Sequence, residues 1–202
     1  RVMALPATDG FDRADLADLG ASWTTLNTGG FGVNSNNVYP NCSGDCGAIW
    51  NADTFGNDHY AQLGSITAVN SGGDYAIGLC VRGAVSGSRY YGYIGFSRTT
   101  ERYLVRNSGG SLTALQHYTG SGISVGNSMR LEAVGSLISP YLNGSADTSL
   151  GSSTDSTYAS GSAGLAGYAA SGALRADNWE GGNITSGAAT SGPRLALLGV
   201  GR

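Results

Sequence analysis

The feature that most constrains the fold is a short alternating segment that ends in Asn143-Gly144. The run from Ser136 to Leu142 precedes this dipeptide, and a small polar segment follows it. Asn and Gly both tolerate the positive φ angles that a tight type I′ turn requires. The sequence therefore predicts an antiparallel hairpin here. Short alternating runs cut by Gly, Ser or Asn recur along the chain, which indicates a protein built from antiparallel strands.

Two segments in the middle of the chain show the alternation most clearly. In the first, Arg82 falls on the face opposite to the aliphatic residues, and in the second, Tyr91 and Tyr93 lie opposite Phe96. Roughly a dozen such strands are predicted, which is typical of a two-sheet sandwich or a closed barrel. Helical spacing is confined to 12–20, where we expect at most one short turn.

Composition excludes several classes of protein. The chain of 202 residues suits one large all-β domain and carries a net charge of −3, which argues against a nucleic-acid partner. No segment approaches the ~20 apolar residues of a membrane-spanning helix. The sequence starts at Arg1 rather than Met, so we interpret it as processed or as a fragment.

The three cysteines lie in two different settings. Cys42 and Cys46 are in a turn-rich loop, where a small disulfide is expected, whereas Cys80 is in an apolar strand pattern and is expected to be a buried free thiol. His59 and His117 are isolated, so the sequence does not indicate a zinc site. A disulfide would place the protein outside a reducing cytosol.

We divide the chain into a β-sandwich over 1–182 and a tail over 183–202. The tail is rich in Gly, Ala and Ser and ends in an apolar segment, which we expect to dock on the domain or on a neighbouring subunit. Trp23, Trp50 and Trp179 are expected to fill the core of the sandwich, each with its indole N–H hydrogen-bonded.

A family resemblance rests on the order of several short motifs. They are DGFDR (9–13), LGASW (19–23), DHYAQ (58–62), GLCVR (78–82), MRLEA (129–133), NG (143–144), DSTYASGSAGL (155–165) and DNWEGG (177–182). In this order they resemble the concanavalin A-like (laminin G-like) jelly-roll superfamily, and most of all the small modules of phage virion proteins and bacterial secreted proteins. The resemblance implies an all-β sandwich of two curved antiparallel sheets with little or no helix. It also implies a concave face that often holds glycans, and often a calcium ion near the joined chain ends.

The acidic residues do not suggest an enzyme. Glycoside hydrolysis needs two carboxylates facing each other across a sugar, and the chain has only Glu101, Glu132 and Glu180 and no Glu-x-Asp-x-x-Glu run. Glu132 alternates with Arg130 on what we interpret as a solvated strand face. Neither histidine has an evident partner for nucleophilic catalysis, so we predict that the protein is not an enzyme.

Calcium is the one metal for which we name candidate ligands. Asp9 lies at the first strand and Asp177 at the last, and these strands are neighbours in a jelly roll, so the two carboxylates are candidates for a calcium site. The alternative is that Asp177 caps a turn or pairs with an arginine such as Arg13. No other cofactor is predicted.

Glycan binding uses aromatic faces together with planar polar groups. Arg82, Tyr91 and Tyr93 fall on the predicted outward faces of adjacent strands, and they are the candidate carbohydrate-binding residues. The alternative is that tyrosine simply suits a pleated, half-buried surface.

We predict three functions in order of preference. The first is a non-enzymatic structural or adhesive module, such as a virion decoration, tail or fibre component or another extracellular assembly subunit. Its partners would be other copies of itself or other virion proteins, with glycan contacts as an addition. The alternative is a carbohydrate-binding module of a secreted polysaccharide-active protein, and the third is a glycosidase-like enzyme with a dispersed site. The expected location is extracellular or the virion surface.

Overall fold

The computed structural model describes residues 5–26, 30–69, 75–86, 89–168 and 174–185. These ranges contain strands but no helix, and so none that is long and apolar enough to cross a membrane. The strands are β1 (Ala7–Asp9), β2 (Trp23–Leu26), β3 (Gly30–Asn34), β4 (Asn37–Asn41), β5 (Asp45–Trp50), β6 (His59–Ala68), β7 (Ala76–Ser86), β8 (Arg89–Ser97), β9 (Glu101–Ser108), β10 (Ser111–Thr119), β11 (Met129–Val134), β12 (Leu137–Leu142), β13 (Ser145–Ala146), β14 (Ser153–Thr154), β15 (Ser162–Tyr168) and β16 (Arg175–Asn183).

The strands form two antiparallel sheets that pack face to face, which confirms the predicted all-β sandwich. The nine-stranded sheet has the order β13-β12-β11-β6-β16-β4-β3, with β1 paired to β16 and β14 paired to β12. The seven-stranded sheet has the order β10-β9-β8-β7-β15-β5-β2. The first and last described strands are neighbours, as the jelly-roll resemblance implies.

The core lies between the sheets and contains three tryptophan rings in mutual contact. The ring centroids of Trp23, Trp50 and Trp179 are 4.6 to 5.3 Å apart, and all three side chains are buried. Trp23 donates its indole N–H to Asp9 and Trp50 donates to Asp53, at 2.9 and 2.8 Å. Trp179 does not follow the prediction, because its indole N–H has no acceptor among the described residues.

The predicted hairpin forms at the expected turn. Asn143 and Gly144 have φ angles of 53° and 76°, and they connect β12 to β13. Residues 12–20, where at most one short turn of helix was expected, contain no helix. Leu16 instead forms an isolated bridge with Val33, because its backbone exchanges hydrogen bonds with that residue at 2.8 and 2.9 Å.

The cysteines have the predicted states. Cys42 and Cys46 are joined by a disulfide with a Cα–Cα distance of 6.0 Å, and Cys80 is a buried free thiol whose pKa is raised to about 12 by burial. The last described strand ends at Asn183, and the division of the chain at 182 stays a prediction. The apolar segment 193–202 lies outside the described residues, so its docking stays a prediction.

Candidate functional site

The strands β7 and β8 are buried on both faces, and the side chain of Tyr93 on β8 points inward rather than outward as predicted. Tyr93 is fully buried and lies opposite Val81 on the face that packs into the main core, where its hydroxyl donates to Asp155 at 2.8 Å. The predicted outward orientation of Tyr93 is therefore wrong. Alternation alone could not reveal this, since Ile94 on the opposite face is also buried. The side chain of Tyr91 lies outside the described part of the structure.

Arg82 is also buried, with a side-chain exposure of 2%. Simple alternation would place it beside Cys80 on the outer face of the sheet. A β-bulge between Val81 and Ala84, with a φ angle of 52° at Arg82, turns its side chain away from that position. The predicted outward orientation of Arg82 is therefore wrong as well.

The guanidinium of Arg82 holds three loops together at one end of the sandwich. It donates to the backbone carbonyls of Asn57, Gly135 and Tyr158 at distances of 2.6 to 3.1 Å. Each carbonyl belongs to a different connection between strands. Arg82 therefore fixes the geometry of an open cleft at this end, which we call the end cleft.

His59 supports the same bulge from the facing sheet. Its Nε2 accepts the backbone N–H of Arg82 at 2.9 Å, so its Nδ1 carries the proton and donates to the carbonyl of Gly56 at 2.7 Å. Burial lowers the pKa of His59 to about 4, and the Arg82 charge also lowers it, while the Gly56 hydrogen bond acts in the opposite direction. His59 is therefore neutral and structural at neutral pH.

The outer face of the seven-stranded sheet, turned away from the core, carries a row of stacked rings. Phe96, Tyr103 and His117 are direct neighbours on β8, β9 and β10. The centroids of Phe96 and Tyr103 are 4.8 Å apart, and those of Tyr103 and His117 are 4.2 Å apart, with interplanar angles of 19° and 9°. This spacing is close to the distance between neighbouring strands, so the three rings stack face to face along the direction that crosses the strands. We call these three residues the aromatic row.

Charged side chains fix the aromatic row in place. Glu101 accepts hydrogen bonds from the hydroxyl of Tyr103 and from Nε2 of His117, the latter at 2.9 Å. These two hydrogen bonds lower the pKa of Glu101. The guanidinium carbon of Arg98 lies 5.7 Å from the ring centroid of Tyr103 and 6.0 Å from that of Tyr168. Both rings are therefore within reach of a cation–π contact.

A groove of about 280 Å³ opens on the Phe96 side of the row. Gly78, the residue opposite Phe96 on β7, carries no side chain. A Cβ atom at this position would lie 2.2 Å from the carbonyl oxygen of Gly95, so only glycine fits. The free face of the Phe96 ring is therefore not covered from β7. The groove has apolar and polar lining residues: Ile94, Phe96, Leu112 and Ala166 are apolar, and Asp45, Arg98 and Tyr168 are polar.

Sequence reasoning missed the aromatic row because its members come from three strands. Only the pairing register brings Phe96, Tyr103 and His117 together, and periodicity within one strand does not give that register. The one available signal was that Phe96 alternates with Tyr93, since assigning Tyr93 to the core places Phe96 outside.

The carboxylates predicted as calcium ligands have hydrogen-bond partners within the chain, and calcium binding stays a prediction. Both carboxylate oxygens of Asp9 accept hydrogen bonds from Arg13, at 2.7 and 3.0 Å, and one also accepts the Trp23 indole N–H. The Asp177 carboxylate accepts hydrogen bonds from Asn178. Over the described ranges, no three His, Cys, Asp or Glu side chains come together as a metal-binding group.

The remaining glutamates lie on the outer face of the nine-stranded sheet. Glu132 accepts from Arg130 at 2.7 Å, and Glu180 accepts from the Tyr60 hydroxyl at 2.5 Å. The guanidinium carbon of Arg130 is 3.4 Å from the ring centroid of Tyr60. Both carboxylates thus take part in a local network of partly buried side chains.

Comparison with known proteins finds structural similarity only. The chain matches no protein-family model and no curated protein sequence. Among solved structures it resembles the carbohydrate-binding module CBM66 from Bacillus subtilis, with a TM-score of 0.61 and 19% identity over 79% of this chain and 95% of that one. It also resembles a Bacillus subtilis protein of unknown function with a galectin-like fold, with a TM-score of 0.55 and 11% identity over 80% and 89% of the two chains.

A third similar structure is the exoplasmic/lumenal domain of VIP36 in a form bound to Ca²⁺ and Man3GlcNAc. The TM-score is 0.57, with 11% identity over 81% of this chain and 84% of that domain. The chain therefore has the jelly-roll sandwich fold that is shared by carbohydrate-binding modules and lectin domains. At these identities the likeness concerns the fold, and the phage and laminin G relationships stay predictions.

Proposed function

We propose that the protein is a non-enzymatic carbohydrate-binding module that holds a glycan in the groove beside Phe96. The observation that carries this proposal is that Phe96 stacks on Tyr103 and lines a groove in which its partner on β7, Gly78, brings no side chain. The rest of the aromatic row supports the ring from behind, and polar groups stand at the rim of the groove. A sugar ring presents an apolar C–H face that packs on an aromatic face, and hydroxyls that hydrogen-bond to polar groups around it.

The polar residues of the groove suit the hydroxyls of such a ligand. Asp45 carries a carboxylate and Arg98 a guanidinium, and Tyr168 pairs with Asp45 across the strands and lies 6.0 Å from the guanidinium carbon of Arg98. Glu101 fixes Tyr103 and His117, and Phe96 stacks on Tyr103, so the row should lose little side-chain freedom when a ligand binds.

The fold supports the carbohydrate-binding alternative more than the virion role. The similar structures include a carbohydrate-binding module and a domain crystallised with a mannose-containing glycan. We propose an extracellular or lumenal location, which the Cys42–Cys46 disulfide also favours. The virion role and the assembly partners stay predictions.

A glycan array tests the proposal with three forms of the protein. The Phe96→Leu variant keeps the apolar bulk of the side chain but removes its flat face. We therefore expect its array signals to be at least about tenfold lower than those of the unchanged protein. Tyr141→Leu makes a similar change on the outer face of the nine-stranded sheet and should retain the signals. Absence of any glycan signal, or equal signals from Phe96→Leu, would overturn the proposal.

A further inference from the structure

The end cleft is a second cavity, separate from the groove beside Phe96. Its volume is about 730 Å³. Five chain segments line it: the loop before β6, the bulge of β7 at Arg82, the turn between β11 and β12, the loop 156–159, and the end of β16 with the two residues after it. It shares no lining residue with the groove. A ligand here would therefore be independent of one in the groove.

The hydrogen bonds of Arg82 leave one donor without an acceptor in the described part of the chain. A guanidinium has five N–H groups. Nε donates to the carbonyl of Asn57, and the two N–H groups of Nη2 donate to the carbonyls of Asn57 and Gly135. One N–H of Nη1 donates to the carbonyl of Tyr158. Nη1 therefore keeps one N–H, and Arg82 lines the cleft. A buried donor of this kind gains from an acceptor that a ligand supplies.

Asp58 supplies the matching acceptor. Its Oδ1 accepts the backbone N–H of Gly135 at 2.8 Å and lies 3.7 Å from Nη2 of Arg82. Its Oδ2 takes part in no hydrogen bond within the described ranges, and the side chain is 34% exposed in the cleft. Two residues that line the same cavity thus carry one remaining donor and one charged acceptor.

The charge balance selects a neutral ligand. The carboxylate of Asp58 repels an anion, and the guanidinium of Arg82 repels a cation. The two charges lie 3.7 Å apart and nearly cancel, so the cleft favours neither kind of ion. Adjacent hydroxyl groups satisfy both residues, because one hydroxyl oxygen accepts from Nη1 while the next hydroxyl donates to Oδ2. The side chains of Ser136 and Asn183 add further polar groups at the wall, and Tyr158 lines another side.

We propose that the end cleft is a second sugar site, which binds a single neutral sugar unit through adjacent hydroxyls held by Arg82 and Asp58. The site differs from the groove in shape, because it is an open cleft formed by loops rather than a slot beside a ring.

Titration with a panel of neutral hexoses, followed by amide chemical shifts in NMR spectra, tests the proposal. We expect at least one hexose to shift the amides of Gly56, Gly135 and Ala159, and glucuronate to bind more weakly at the same amides. Asp58→Asn keeps the Oδ1 acceptor for Gly135 but removes the charge, and should weaken binding at least about tenfold. Ala159→Trp should block the cleft sterically and abolish the shifts.

The Phe96→Leu variant separates this site from the groove. We expect it to leave the shifts at the end cleft unchanged, whatever happens to glycan binding beside Phe96. Failure of every neutral hexose to shift these amides would overturn the proposal. So would tighter binding of glucuronate, or undiminished binding by a folded Asp58→Asn variant.

Discussion

The backbone N–H of Arg82 donates to Nε2 of His59 at 2.9 Å, and both side chains are buried where the two sheets face each other. One residue lies on the bulge of β7 and the other at the start of β6. This contact joins the sheets at the end where Arg82 also holds three loops. The end of the sandwich therefore depends on a buried cation and a neutral histidine.

Replacement of Arg82 should destabilise the whole domain. Arg82→Met leaves the carbonyls of Asn57, Gly135 and Tyr158 without their donor, which should cost about 3–5 kcal/mol of unfolding free energy. Urea unfolding at pH 7 measures this loss. Arg130→Met is the control, because its guanidinium pairs with the partly exposed Glu132 and holds no loop carbonyl, so its loss should be clearly smaller. Equal losses in the two variants would contradict the role given to Arg82.

Stability should fall as the pH drops below the ordinary pKa of histidine. The pKa of His59 is 6.5 in an unfolded chain and about 4 in the folded protein, so only the unfolded state gains the proton in this window. The contribution is complete above pH 6.5 and is lost on acidification. We expect a loss of about 1.5 kcal/mol between pH 6.5 and 5, because the slope rises from half of its limiting ~1.4 kcal/mol per pH unit at pH 6.5 to nearly the full value at pH 5.

Comparison with His59→Gln isolates this effect. Urea unfolding of both proteins at half-unit steps from pH 7 to 5 should give a slope for the unchanged protein that the variant lacks. Parallel curves would show that His59 does not titrate as described.

The loop that begins at Asp155 should depend on its carboxylate. Although burial alone would raise the pKa of Asp155, hydrogen bonds from Thr157, Tyr93 and Arg106 lower it to about 2. Its contribution is therefore present above pH 3.8 and is lost as the pH falls towards 2. Asp155→Asn should cost about 1–3 kcal/mol at pH 7, measured by thermal unfolding. Asp18→Asn, at an exposed turn, should change little, and a similar small change in both would contradict the prediction.

The absence of a side chain at residue 78 should be essential to the sheet. Gly78→Ala places a methyl group 2.2 Å from the carbonyl oxygen of Gly95 and 2.5 Å from the Cα of Phe96, and backbone atoms cannot move aside easily. We expect a loss of about 1–3 kcal/mol in denaturant unfolding. Gly44→Ala is the control, since a Cβ there meets nothing within 4 Å. A neutral Gly78→Ala variant would contradict the close approach of β7 and β8.

The sequence was sufficient for the fold but not for the site. Period-two alternation and the Asn143-Gly144 turn depend on neighbours along the chain, so they predicted the strands and the hairpin. The outward face was predicted wrongly at Tyr93, because a strand with apolar residues on both faces has no polar side to mark the exterior. At Arg82 the bulge shifted the alternation, and nothing in the residue types around it indicated where an extra residue would be inserted.

The central claim is that glycan binds on the open face of Phe96, and NMR mapping tests it most directly. The protein is titrated with the glycan that gives the strongest array signal, and amide chemical shifts are followed. The account predicts the largest shifts at Gly78, Ile94 and Ala166, around the groove, and their loss in Phe96→Leu. Shifts confined to Gln62 and Arg130, on the outer face of the nine-stranded sheet, would contradict it.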